Sequence, residues 1–96
     1  MTQQYLVGEF SLLLAKLEPA PSARLADAVH RLRRSVELGP LCMLSGRARE
    51  AMRLSDSICW AALEQGDVDG FSRYARAAVA LGEFAASANL VPERLD

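Results

Sequence analysis

The chain has 96 residues, 51 % of them hydrophobic, and its 11 basic and 12 acidic residues give a net charge of −1. A domain of this length has little interior, so part of its apolar surface should face a partner. Proteins that bind nucleic acid or anionic membranes usually carry a clear basic excess, which this chain lacks. The composition therefore argues against a nucleic-acid or membrane partner and favours a single self-associating domain.

The two cysteines, Cys42 and Cys59, do not form a metal or redox motif. There is no CxxC pair, and one histidine with two cysteines makes a poor zinc set. On one continuous helix the two thiols would lie too far apart for a disulfide. We therefore predict reduced thiols, no metal and no cofactor.

The first sixteen residues, MTQQYLVGEFSLLLAK, do not resemble a signal peptide or a membrane span. They begin without positive charge, and Gly8, Glu9 and Ser11 interrupt their apolar stretches. The sequence thus predicts a cytoplasmic protein.

Helical periodicity fills the chain between its Pro and Gly positions, which predicts an all-α fold with no sheet. The first helix is expected over about 3–17. Its buried stripe is Leu6, Phe10, Leu13 and Leu17, widened by Val7 and Leu14. Tyr5 and Leu12 fall on the opposite side of this very apolar helix, which makes them candidate interface residues.

The second helix is expected over 23–38, because Pro19 and Pro21 break the chain and Ser22 suits an N-cap. Gly39 and Pro40 end it. Its seam is spaced 4-3-4: Leu25, Val29, Leu32 and Val36. Residues 41–44 fit either a loop or the start of the next helix.

The third and fourth helices are expected over 45–65 and 68–88. Gly66 is a C-cap and Asp67 an N-cap, so the intervening turn is tight. The third helix's apolar arc holds Ala48, Ala51, Met52, Leu54, Ser55, Ile58, Cys59, Ala62 and Leu63, and the fourth helix's expected inner face is Phe71, Ala75, Ala78, Gly82 and Ala85. Short linkers favour an antiparallel bundle of four main helices, with a frayed tail over 91–96.

Residues 64–81, EQGDVDGFSRYARAAVAL, resemble the centre of a tetratricopeptide-repeat hairpin. The matching positions are Gln65, Gly66, Asp67, Asp69, Tyr74, Ala78 and Leu81. The resemblance implies a protein-binding scaffold and not an enzyme. A generic capped hairpin with small residues at its interface would carry the same residues.

Polar candidates for chemistry have simpler interpretations. Asp67 and Asp69 suit helix capping and the helix dipole better than acid–base catalysis. His30 lies beside the second helix's seam without a catalytic partner at a telling spacing. A small helical enzyme, with Arg49, Arg53 and Glu64 around an anionic substrate, is a minor alternative.

Two arginine clusters are candidate contacts for an anionic partner, with Arg31, Arg34, Arg49 and Arg53 as the chosen residues. Interleaved acidic residues favour solvated ion pairs at these positions. The alternative function is a nucleic-acid-binding regulator that uses these arginines.

Trp60 and Phe84 are the large aromatic residues that fall outside the expected intrachain faces. Such residues often anchor interfaces, although another helix of the same chain, or Arg53 stacked on Trp60, is the alternative. The predicted function is a non-enzymatic protein–protein interaction module, a homodimeric adaptor or regulatory subunit. Its predicted interface residues are Tyr5, Leu12, Trp60 and Phe84, and its partners are itself and an unidentified protein.

Overall fold

The computed structural model describes residues 2–90, with side chains from Tyr5 onward. Four α-helices follow one another: α1 (Thr2–Ala15), α2 (Ala23–Leu38), α3 (Leu44–Glu64) and α4 (Val68–Ser87). A short 3₁₀ turn, Leu41–Met43, precedes α3. No strand occurs within the described range, which confirms the all-α class, while the predicted frayed tail lies outside it.

The helices close into a bundle in which α1 and α3 each pack against both α2 and α4. The short connections reverse the chain, so consecutive helices run antiparallel. At one end of the bundle, Gln65 Nε2 on the α3–α4 turn donates to the Pro21 carbonyl at 3.3 Å, and the Tyr74 hydroxyl donates to the Pro19 carbonyl. The α1–α2 loop and the α3–α4 turn are thereby tied together.

The core lies between the four helices and follows the predicted stripes on α1 and α2. Phe10, Leu14 and Leu17 are fully buried on the first helical segment, as are Val29 and Val36 on α2. From α3 the core receives mainly small side chains around Ile58, which is an arrangement that lets neighbouring helices approach closely. Across residues 2–90, no helix is both long enough and apolar enough to cross a membrane.

The turn between α3 and α4 has the geometry predicted from its sequence. Gly66 has a φ of +74°, and the amides of Gly66 and Asp67 donate to the carbonyls of Leu63 and Ala62 at 3.0 Å. These two bonds form a Schellman motif, which satisfies the last carbonyls of α3. Asp67 Oδ1 then accepts from the Gly70 amide at 2.9 Å and caps α4.

Gly70 contributes to this turn because it lacks a side chain. A Cβ atom at this position would lie 2.1 Å from Asp67 Oδ2, inside the capping carboxylate. The glycine therefore allows Asp67 to fold back onto the first turn of α4.

Five helix boundaries differ from the expected ones by one or two residues: both ends of α1, both ends of α3 and the end of α4. The first helix ends at Ala15. The amides of residues 16–18 then donate to the carbonyls three residues earlier, as in a 3₁₀ turn, and Leu17 stays buried while the chain turns. Of the uncertain residues 41–44, the first three form the 3₁₀ turn, and α3 begins at Leu44 without the predicted Ser45 cap.

The inner face of α4 is rotated by about one residue from the predicted one. Its buried residues are Gly70, Tyr74, Ala77, Leu81 and Ala85. Of the predicted row only Ala85 is buried, and Phe71, Ala75, Ala78 and Gly82 are half-exposed. Turning Tyr74 and Leu81 inward buries more apolar surface than turning alanine and glycine inward, and burial is roughly proportional to apolar area.

Changing Gly66 and Gly82 to alanine should shift stability in opposite directions. Gly66→Ala forces a side chain into the left-handed region and should lower the free energy of unfolding by about 1 kcal/mol. Gly82→Ala, in the α4 interior where a Cβ meets nothing within 4 Å, should raise it by about 0.5–1 kcal/mol. Urea unfolding followed by circular dichroism measures both, and equal effects would contradict the turn geometry.

Candidate functional site

The outward face of α3 carries Trp60, whose surface is 60 % exposed. Arg53, Ser57 and Glu64 share this face and are also exposed. The face opposite them on α3 holds Ser55, Ile58 and Ala62 in the core, so the helix cannot rotate to cover the indole. Trp60 thus stands in solvent because the packing of α3 requires it to.

A groove of about 300 Å³ lies beside Trp60, between α3 and α4. Its lining is mainly apolar: Asp56, Cys59, Trp60, Leu63, Phe71, Ala75 and Ala78. Phe71, Ala75 and Ala78, three residues of the row that was predicted to face the core, lie here instead and form the groove's α4 wall. Leu63, predicted on the apolar arc, is largely exposed at the same place.

Cys59 lines this groove and is half-buried, whereas Cys42 on the 3₁₀ turn is exposed, and both are free thiols. Burial raises the pKa of the Cys59 thiol above its ordinary value, and the Asp56 carboxylate adds to that increase in pKa. A thiol in this state is a weak nucleophile at neutral pH, because the reactive species is the thiolate.

Phe84 is covered within its own chain. Its ring packs against Phe10 of α1, with 5.6 Å between centroids and an angle of 45° between planes. This intrachain contact covers part of the Phe84 ring, which is half-buried, and a role for Phe84 in an interface stays a prediction. Trp60 has no such cover: the cation–π contact found in the described residues joins Arg73 to the Tyr74 ring at 4.7 Å, and Arg53 does not stack on the indole.

Tyr5 and Leu12 lie on the outward side of α1, each 65 % exposed. Tyr5 and Phe84 line one groove between α1 and α4, and Tyr5 and Leu12 line another beside Glu37 of α2. Since α1 and α3 occupy diagonal places in the bundle, these residues and Trp60 face different directions. The four predicted interface residues thus divide into two separate surfaces.

The arginines chosen for an anionic partner do not converge. Arg31 lines a groove between α2 and α3 together with Arg47, but Arg31 pairs with Asp27 at 3.0 Å and Arg47 with Glu50 at 2.8 Å. Arg34, Arg49 and Arg53 are exposed and lie outside this groove. Interleaved carboxylates therefore neutralise the two arginines that do meet.

A polar cluster that the sequence reasoning missed joins α1 to α2. The Ser11 hydroxyl donates to Glu37 Oε2, while Arg33 reaches Glu18 at 3.6 Å and Glu37 at 3.8 Å. Arg33 Nε is buried without a hydrogen-bond partner in the described structure. The sequence did contain one indication of this cluster, Ser11 in an apolar helix. A buried serine hydroxyl needs a hydrogen-bond partner.

Residues considered for catalysis or metal binding are dispersed. His30 is exposed on α2, and Asp67 is engaged as the α4 cap. Among residues 2–90, no three His, Cys, Asp or Glu side chains are placed to share a metal ion.

Comparisons with known proteins give no relative on which to base an identity. No family model matches the chain, and neither a curated protein nor a solved structure is significantly similar to it. The resemblance to a tetratricopeptide-repeat hairpin consequently stays a prediction.

The two thiols should react with a disulfide reagent at clearly different rates. Cys42 is exposed and should react first, while Cys59 should react slowly at pH 7 and accelerate only as the pH rises toward its raised pKa. Thiol titration of Cys42→Ser and Cys59→Ser variants at several pH values assigns the two rates. A fast phase that persists in Cys42→Ser would contradict the burial of Cys59.

Phe84 and Trp60 should differ in their effect on the monomer. Phe84→Ala removes the contact with Phe10 and should lower the free energy of unfolding by about 2–3 kcal/mol. Trp60→Ala, at an exposed position, should change it by less than about 1 kcal/mol. Chemical unfolding at low protein concentration measures both. Equal losses would show that the indole is packed within the chain.

Proposed function

We propose that this protein is a non-enzymatic protein–protein interaction module that forms a homodimer through the surface around Trp60. The observation that carries the proposal is a tryptophan that is 60 % exposed near the C-terminal end of α3, beside an apolar groove. Tryptophan is enriched among the residues that dominate binding energy at interfaces.

The free energy that Trp60 could contribute to a complex follows from the surface area that a partner would cover. A tryptophan buries roughly 150–250 Å² when fully covered, so covering the exposed part of Trp60 stabilises a complex by about 3 kcal/mol at 25 cal/mol per Å². A symmetric dimer gains this twice, about 6 kcal/mol. Association costs about 4–15 kcal/mol in lost freedom, and a micromolar dimer needs a net gain of about 8 kcal/mol. Other groups around Trp60 must therefore also contribute.

The second exposed surface, on α1, supports an adaptor role. Tyr5 and Leu12 face away from Trp60, so a dimer formed through α3 leaves them accessible to another protein. A protein-binding scaffold is also what the tetratricopeptide-repeat resemblance implies. Two free thiols, one of them exposed, support a reducing compartment such as the cytoplasm as its location.

The nucleic-acid alternative receives less support. The arginines that approach one another, Arg31 and Arg47, are each paired with a carboxylate, and the chain's net charge is −1. Strong phosphate binding requires several uncompensated cations on one face.

The single tryptophan provides a direct assay of the proposed dimer. As protein concentration rises through the micromolar range, Trp60 fluorescence should shift to shorter wavelength while light scattering reports twice the monomer mass, because the indole leaves water. Trp60→Ala should abolish the dimer seen by light scattering.

Leu38→Ala is the matched control, since Leu38 is 74 % exposed at the end of α2, away from the groove. It should leave the dimer intact. A wild-type protein that stays monomeric at 100 times the lowest concentration tested, with no shift in fluorescence, overturns the proposal.

A further inference from the structure

The exposed residues of α3 form a stripe with the spacing of a helix–helix seam. Arg53, Ser57, Trp60 and Glu64 follow one another at intervals of four, three and four residues, and all are exposed. This spacing places them in one row along the outward face, as in a two-helix coiled coil. The stripe lies opposite the buried row of α3, so it is not used for packing within the chain.

The charges along this stripe have opposite signs at its two ends. Arg53, preceded by Arg49, lies at one end, and Glu64 lies at the other, just before the Asp67 turn. The ion pairs within residues 2–90 involve α2, the α1–α2 loop and the Arg47–Glu50 pair, and neither Arg53 nor Glu64 takes part in them. The charges of this stripe are therefore complementary to those of a second copy of the stripe that runs in the opposite direction.

We infer that the occupant of this surface is a second copy of the chain, with its α3 antiparallel to the first and a two-fold axis between Ser57 and Trp60. Arg53 and Glu64 are equally distant from that axis, about 8 Å along the helix at 1.5 Å per residue. Arg53 of each copy then faces the partner's Glu64, which gives two equivalent ion pairs. Trp60 of each copy packs over the partner's Ser57, a side chain small enough to accept the indole.

A parallel arrangement of the same two helices is unfavourable. It would place Arg53 beside the partner's Arg53 and Glu64 beside the partner's Glu64, and like charges across an interface oppose association. The antiparallel two-fold arrangement replaces both repulsions with attractions. It is also isologous, so the dimer closes and leaves no α3 surface for further growth.

This inference rests on the proposed dimer and adds its orientation and register. Its test uses two charge reversals, Arg53→Glu and Glu64→Arg. Alone, each variant faces two like-charge pairs across the axis and should dimerise at least about tenfold more weakly than wild type. Mixed together, the two variants restore both opposite-charge pairs, so heterodimers should form with near wild-type affinity.

Sedimentation equilibrium gives the affinities, and native mass spectrometry separates the heterodimer from the two homodimers by mass. Arg34→Glu on α2 is the control for Arg53→Glu: it makes the same change in net charge on another exposed surface and should dimerise like wild type. Circular dichroism verifies that each variant remains helical, as expected for substitutions of exposed side chains.

The outcomes separate the inference from the proposed function. Single variants that dimerise like wild type, or a mixture that yields no excess of heterodimer, overturn the antiparallel register while the Trp60-dependent dimer stands. A wild-type protein that is monomeric throughout overturns both. Weakened single variants whose mixture recovers affinity support the register, because only the Arg53–Glu64 pairing predicts that recovery.

Discussion

The chain reverses at Gly66, and the Gly70 amide then donates to Asp67 Oδ1. Together the reversal and the cap fix the orientation of α4 relative to α3. The turn is too short to let α4 rotate freely, so the faces in contact are decided within one helical turn. Ile58 and Ala62 of α3 and Tyr74 of α4 then enter the core. Trp60, two positions beyond Ile58, is directed outward by the same constraint.

The Tyr74 side chain connects α4 to the α1–α2 loop. Its hydroxyl bonds the Pro19 carbonyl in the α1–α2 loop, and the Gln65 amide bonds Pro21 in the same loop. A buried tyrosine needs a partner for its hydroxyl, and the loop's carbonyl supplies one. The α1–α2 hairpin is thereby held against the α3–α4 hairpin, with α1 and α3 diagonally opposed.

Much of the fold could be predicted from the sequence because its signals were local. Spacing on α2 gave the seam at Val29, Leu32 and Val36, and the Ser22, Gly66 and Asp67 caps act within a few residues. The inner face of α4 could not be predicted in this way. In the observed rotation the Tyr74 hydroxyl meets the Pro19 carbonyl, 55 residues away in sequence, and no periodicity records that contact.

The candidate site was predictable to a similar degree. Helical geometry alone placed Tyr5, Leu12 and Trp60 outside the core, since a residue's angle on its own helix follows from spacing. Phe84 packs against Phe10 of a different helix, and the residue spacing within α4 carries no information about that contact. The groove beside Trp60 was hidden for the same reason: Ala75 and Ala78 fit a core row and a groove wall equally well in sequence.

Because α1 and α3 lie diagonally opposite each other, their exposed surfaces have different roles in the proposed dimer. The two-fold contact proposed along α3 would bury Trp60 and the charges beside it, and its symmetry would prevent further addition at that surface. The outward side of α1, with Tyr5 and Leu12, would then point away from the two-fold axis on both copies. The proposed dimer would accordingly present two identical apolar surfaces on opposite sides, and a divalent partner would engage both with greater avidity than either alone.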